Sequence, residues 1–193
     1  MKVWSGSRAA GAALMVTVAL LSWQSGFADA PGPLFWQRDA IAAGEWWRLL
    51  SAHAVHLNQR HLLMNLLGLL LLTELLCERF SALEFLSLIA VCALGVSLLL
   101  WLLLPQLCWY GGLSGVLHGL WSGSAGLNWL REKKLVDLMA LLALIFKLGS
   151  ATVVTMGIPV IAEAHWYGAL SGLLWMAGWF ACQRPTQGSA IFD

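Results

Sequence analysis

The chain has 193 residues, 60% of them hydrophobic and 11% charged, with a formal net charge of +1. Soluble domains carry about 25% charged residues. This chain has too little charge to cover a water-facing surface and belongs in a bilayer. The net charge says nothing about nucleic acid, and no basic cluster suggests such a partner.

Six apolar stretches read as membrane helices: 8–24, 61–77, 82–104, 112–130, 135–150 and 159–182. A span needs about 20 apolar residues, fewer where protein shields it. They predict an all-α, six-span membrane protein with a single domain. Residues 1–24 form its N-terminal end and first span, 25–60 one long loop, 61–182 the core, and 183–193 a tail. The first stretch has a basic start and ends near Ala28-Asp29-Ala30. It reads either as a retained anchor, which its length favours, or as a cleaved signal peptide. Glu78-Arg79, Pro105-Gln106 with Gly111-Gly112, Arg131 to Lys134, and Gly157 with Pro159 separate the later stretches. Lys147 lies inside the fifth.

Positive charge sets the orientation. With both termini cytoplasmic, that side holds Lys2, Arg8, Arg79, Arg131, Lys133, Lys134 and Arg184. The outer side holds Arg38, Arg48 and Arg60 in the loop 25–60, with Lys147 near it. The twelve tryptophans suit an interfacial belt. Cys77, Cys92, Cys108 and Cys182 lack ligand spacing and read as small apolar fillers without disulfides.

The fourth stretch carries Gly111, Gly115, Gly119 and Gly123, and the sixth Ala164, Gly168 and Gly172. Residues four apart share a helix face, and small ones let two backbones approach closely. The fourth and sixth spans are therefore expected to be neighbours. Ser114 flanks one stripe and His165 the other. A hydroxyl needs a base to become a nucleophile, and an imidazole is suited to the task. Packing alone explains the glycines but not the serine and histidine beside them.

Glu163 precedes His165 by two residues, about 200° around a helix, so a dyad without a carboxylate is expected. His118 lies one turn below Ser114. It either packs under the His165 ring or is a buried polar residue bonded to a carbonyl. His61 and Asn65 share a face of the second span. With the Ser114 N–H they would stabilise an oxyanion. The competing reading of Asn65 is an interhelical hydrogen bond that fixes packing. His53, His56 and His61 invite a zinc site, but no acidic or cysteine ligand sits beside them. A headgroup loop anchored by Trp46 and Trp47 explains them as well, so neither metal nor cofactor is expected.

With these residues in hand, the chain resembles the rhomboid family of intramembrane serine proteases. The likeness spans about residues 45–182. It rests on Trp47-Arg48, on His61-x-x-x-Asn65, on Gly112-x-Ser114-Gly115, and on Ala164-His165-x-x-Gly168-x-x-x-Gly172. The resemblance implies a six-helix rhomboid fold with a water-filled cavity open to the outer side. It also implies Ser114 as nucleophile, His165 as base, and His61 and Asn65 in the oxyanion hole. His118 stands where many rhomboids have a tyrosine. Residues 112–119 and 163–170 look most like the rhombosortase branch of bacterial rhomboids. That likeness implies a bacterial inner-membrane protein. Its substrates would be secreted proteins with a C-terminal Gly-Gly motif, an apolar span and a basic tail. Cleavage would be followed by hydrolysis or by transfer to an amine or lipid headgroup. The rival class is a non-enzymatic transporter or scaffold. A transporter more often shows internal repeats and paired broken helices, and none is visible.

Overall fold

The computed structural model describes residues 6–27, 31–150 and 161–183. Lys2, Arg184, the Ala28-Asp29-Ala30 site, Gly157, Pro159 and the tail beyond Gln183 lie outside the described residues. Among the described residues there are six long helices: α1 (Gly6–Ser25), α4 (Gln59–Leu75), α5 (Ala82–Leu103), α6 (Ser114–Glu132), α7 (Leu135–Ser150) and α8 (Ala162–Gln183). All coincide closely with the apolar stretches. Among the described residues, α1 and α5 alone are long and apolar enough to cross a membrane by length and composition. The reason lies in what the others carry. Helices α4 and α7 have 17 and 16 residues. Helices α6 and α8 exchange bulky apolar residues for glycine and serine.

The described residues of the segment 25–60 form more than a plain loop. It contains two short helices, α2 (Arg38–Ala42) and α3 (Arg48–Ser51), a 3-10 turn over Ala52–Ala54, and strand β1 (Trp36–Gln37). Strand β1 pairs antiparallel with β2 (Trp109–Tyr110). Arg38 caps the end of α5, donating from its guanidinium to the carbonyls of Trp101 and Leu104 at 3.0 and 2.9 Å. Arg48 is buried and donates to the Phe35 carbonyl at 2.8 Å while pairing with Glu45.

Helix α6 is the hub, packed by α4, α5, α7 and α8. It is buried along most of its length. Its contact with α8 is made by backbone. A Cβ on Gly115 would lie 2.8 Å from the Ala164 carbonyl oxygen, and one on Gly119 2.6 Å from that of Gly168. One on Gly168 would fall onto the Gly115 carbonyl. The rising register on both helices makes the pair parallel. Ser122 adds a bond to the Ala169 carbonyl at 2.8 Å. Gly111 is the exception in its stripe: it precedes the helix and faces Phe35.

Charges gather at the end of the bundle where α6 finishes. Arg8 pairs with Glu74 at 2.9 Å, Arg79 with Glu132 at 2.6 Å, and Arg131 with Glu84 at 2.5 Å. Ser114 and His165 lie at the other end, where α6 and α8 begin.

Gly168→Val should force α6 and α8 apart. Overpacking of this kind costs about 1–3 kcal/mol, so Tm should drop by several degrees. Gly178→Val on the same helix, where an added Cβ meets nothing within 4 Å, should leave Tm unchanged. Thermal melting of the two purified variants checks both.

Candidate active site

Ser114 is the first residue of α6 because the residues before it cannot be helical. Gly112 has φ +134°, a conformation open to glycine but strained for other residues. A Cβ there would also lie 2.7 Å from Cε1 of His61. The chain thus leaves β2, turns at Gly112, and enters α6 at the serine. The Ser114 N–H, at a helix start, has no partner inside the helix.

His165 stands in the first turn of α8. Its Nε2 lies 3.0 Å from Ser114 Oγ. For the hydroxyl to donate, the ring must carry its own proton on Nδ1. That atom is buried and meets no hydrogen-bond partner among the described residues. Glu163 makes no bond to it. Instead Glu163 lines the adjoining cavity.

His118 satisfies both of its expected readings at once. Its ring stacks on His165 with centroids 4.1 Å apart and planes 15° from parallel. Its Nδ1 donates to the Ser114 carbonyl at 2.7 Å. Ser114 therefore holds both rings, one through its hydroxyl and one through its carbonyl, and the two rings hold each other.

The cavity beside the pair is about 500 Å³, with walls that include Leu57, His61, Leu104, Tyr110, Ser114 and Glu163. His61 thus reaches the same space as the hydroxyl. Asn65 is buried one turn further in, and its Nδ2 donates to the His61 carbonyl at 2.9 Å. That bond is within one helix, so the interhelical bond considered for Asn65 is not the one it makes. It steadies the turn that presents His61. Gly115 and Gly168 set the helix separation that brings Ser114 and His165 together.

His53 and His56 differ from expectation. They are not in a headgroup-immersed loop but buried within the protein. His53 Nε2 meets the Ala93 carbonyl at 2.9 Å and Ser97 Oγ at 3.0 Å. His56 lies between Ser22 Oγ, 3.0 Å from its Nδ1, and the Leu113 N–H, which donates to its Nε2 at 3.4 Å. Among the described residues no group of three or more His, Cys, Asp and Glu is placed to hold a metal. Burial pushes the His53 ring down to about 4 despite its backbone bonds. Burial first, then the neighbouring His61 and His53 imidazoles, pushes His56 down to about 3. The filler reading fits the buried Cys77 and Cys92, but Cys108 and Cys182 are exposed.

Tyr110 was invisible as a site residue in the sequence. The aromatic pair ahead of Gly111-Gly112 was its one signal. Its hydroxyl donates to the Gly112 carbonyl at 2.9 Å. Burial pushes that hydroxyl up, while the Gly115 amide and Ser114 side chain beside it act the other way.

The family described as Rhomboid domain has a model that matches residues 43–184. No curated protein matches the chain. The matched region contains α3 to α8 and every residue of the site, and α1 lies outside it.

The two buried histidines give the fold an acid-sensitive seam. An unfolded imidazole takes up a proton near pH 6.5, whereas His53 and His56 stay neutral in the fold to about 4 and 3. Unfolding is then coupled to proton uptake, so their contribution is intact above pH 6.5 and drains as pH falls toward 4. Tm should decline across that window. In His56→Gln the decline should be shallower, as pH-dependent melting would record.

Proposed function

The chain belongs to the rhomboid family of intramembrane serine proteases, and on that premise we propose that Ser114 is its nucleophile and His165 its general base. The observation that carries this reading is the 3.0 Å approach of Ser114 Oγ to His165 Nε2, made by side chains of two different helices at one end of the bundle. Ser114 Oγ attacks the scissile carbonyl carbon and passes its proton to His165 Nε2. The tetrahedral intermediate collapses, the C–N bond breaks, and His165 returns the proton to the leaving amine. A water or an amine in the cavity then attacks the acyl carbon as His165 takes its proton, the ester C–O bond breaks, and His165 returns the proton to Ser114 Oγ.

The oxyanion falls to the Ser114 N–H, to His61 and to Asn65. His61 reaches the cavity directly. Asn65 has one amide N–H beyond the bond it gives to the His61 carbonyl. His118 positions His165 in place of a carboxylate. Gly112, Gly115 and Gly168 supply the turn and the close helix approach that the dyad needs.

We read the six long helices as six spans, with both termini cytoplasmic and the site toward the outer side. The gathering of Arg8, Arg79, Arg131 and Lys134 at the end opposite the site supports that orientation. The glycine-rich α6 spans by sheltering among its neighbours, whereas the short helices α4 and α7 turn exposed apolar side chains outward, as lipid contact requires. The likeness of residues 112–119 and 163–170 to rhombosortases supports a bacterial inner-membrane enzyme. Its substrates are membrane-anchored proteins with a C-terminal Gly-Gly motif, apolar span and basic tail.

A fluorophosphonate should label the full-length chain in lipid bilayers and leave Ser114→Ala unlabelled. Equal labelling of both would remove Ser114 from the chemistry. Incubation with a Gly-Gly-tailed membrane protein and with a single-span protein lacking that motif separates the substrate classes. Equal cleavage of the two would favour a general rhomboid protease. Mass spectrometry of the new C-terminus distinguishes hydrolysis from transfer.

Asn65→Ala should lower turnover by about 10²-fold, the lower range for loss of one oxyanion donor, with Ser114 labelling still detectable. Turnover unchanged in that variant would take Asn65 out of the oxyanion hole.

A further inference from the structure

Three hydrogen bonds converge on the backbone just ahead of Ser114. The Gly112 N–H donates to the Ala52 carbonyl at 2.9 Å. The Gly112 carbonyl accepts from the Tyr110 hydroxyl at 2.9 Å. The Leu113 N–H donates to His56 Nε2 at 3.4 Å. The last two hold opposite edges of one peptide group, that between Gly112 and Leu113. Rotation of this peptide would break both bonds and turn the Gly112 carbonyl away from Tyr110.

The far end of the His56 link lies on α1. Ser22 Oγ donates to the Ala54 carbonyl at 2.9 Å. Its single proton is thereby used, so toward His56 it can only accept. His56 then carries its proton on Nδ1 and offers the Nε2 lone pair to the Leu113 N–H. Ser22 thus selects the tautomer that can grip the peptide. The other tautomer would set two N–H groups against each other. Both Ser22 and His56 are fully buried, so water does not compete for these bonds.

The constraint matters because Gly112 is the residue at which this backbone can swing. Glycine at φ +134° has no Cβ to fix its neighbours, and its position decides where α6 begins. The direction of the Ser114 N–H follows from the peptide before it.

We propose that Ser22 and His56 on one edge and Tyr110 on the other form a clamp on the Gly112–Leu113 peptide that presets the oxyanion-binding backbone at Ser114. This rests on the reading of Ser114 as nucleophile. It makes α1, which lies outside the family match, a positioning element for the site. The three side chains are positioning residues: Ser22 and His56 act through the peptide, and the Tyr110 hydroxyl holds the peptide while also lying beside the Ser114 side chain.

The test is a double-variant cycle on the full-length chain in phospholipid bilayers. Ser22→Ala and Tyr110→Phe each remove one oxygen and no packing volume of consequence. Saturable inactivation by a fluorophosphonate yields kinact and KI for the wild type, each single variant and the pair. Each single variant should lower kinact about tenfold, the scale of one lost neutral hydrogen bond in a preset backbone, with KI within about twofold. The pair should be little worse than the more damaging single, because both release the same peptide, whereas independent effects would multiply. Losses in Tm should instead add. Multiplicative losses in kinact, or single variants with wild-type kinact, overturn the clamp. Labelling that persists in Ser114→Ala would instead overturn the nucleophile assignment, so the two failures are distinguishable.

Discussion

Everything at the site depends on two helices touching through their backbones. No side chain separates α6 from α8 at Gly115, Gly119, Gly168 or Gly172, and each glycine faces a carbonyl of the other helix. In lipid there is no hydrophobic drive to hold helices together, so close van der Waals contact supplies the association. The same closeness has a chemical consequence. Ser114 has a short side chain, and an imidazole reaches only a few ångströms from its backbone. With larger residues in the stripes, hydroxyl and ring would not meet.

Once the helices are this near, orientation becomes the remaining constraint. In a triad a carboxylate accepts from the far nitrogen of the histidine and fixes the tautomer. Here His165 Nδ1 has no such acceptor among the described residues. The ring is held across its face instead, by His118 at 4.1 Å. His118 is itself pinned to the Ser114 carbonyl, so the proposed nucleophile's own residue anchors the ring stacked on its proposed base. A planar stack constrains tilt strongly and rotation within the plane weakly. The bond from Ser114 Oγ to Nε2 supplies the in-plane restraint. The arrangement is closed on three residues and requires no charge buried beside Ser114 and His165, which suits a low-dielectric setting.

The sequence was most legible where physics acts locally. Apolar runs broken by Glu78-Arg79 or Arg131 to Lys134 mark helix limits because a charge cannot lie unpaired in hydrocarbon. Glycine stripes at a spacing of four announce a face. The Glu163 to His165 offset followed from helical geometry alone. Legibility failed where the determining contact is remote. Two-residue strands such as Trp36–Gln37 carry no periodicity, so the ribbon with Trp109–Tyr110 went unseen. Helix α6 was drawn from 112, yet it starts at Ser114, because a positive φ at Gly112 is not written in hydropathy. His53 and His56 looked like surface histidines among tryptophans. Their partners, Ser97, Ser22 and Leu113, come from other segments, and only the folded chain shows that the rings are interior.

The interior histidines join the loop to the core. A buried imidazole unpaired on both nitrogens would be costly, and an imidazolium more so. His56 avoids the cost by spending one nitrogen on α1 and the other on the turn into α6. His53 spends Nε2 on α5. The segment before α4 therefore does not merely cover the bundle. It ties three helices to each other at the end where the serine sits, with neutral rings as the ties. A charged residue there would demand a counter-ion or water and would loosen the backbone it holds. A neutral, tautomer-selected imidazole can be both buried and directional, which is why histidine rather than lysine or arginine fits this place.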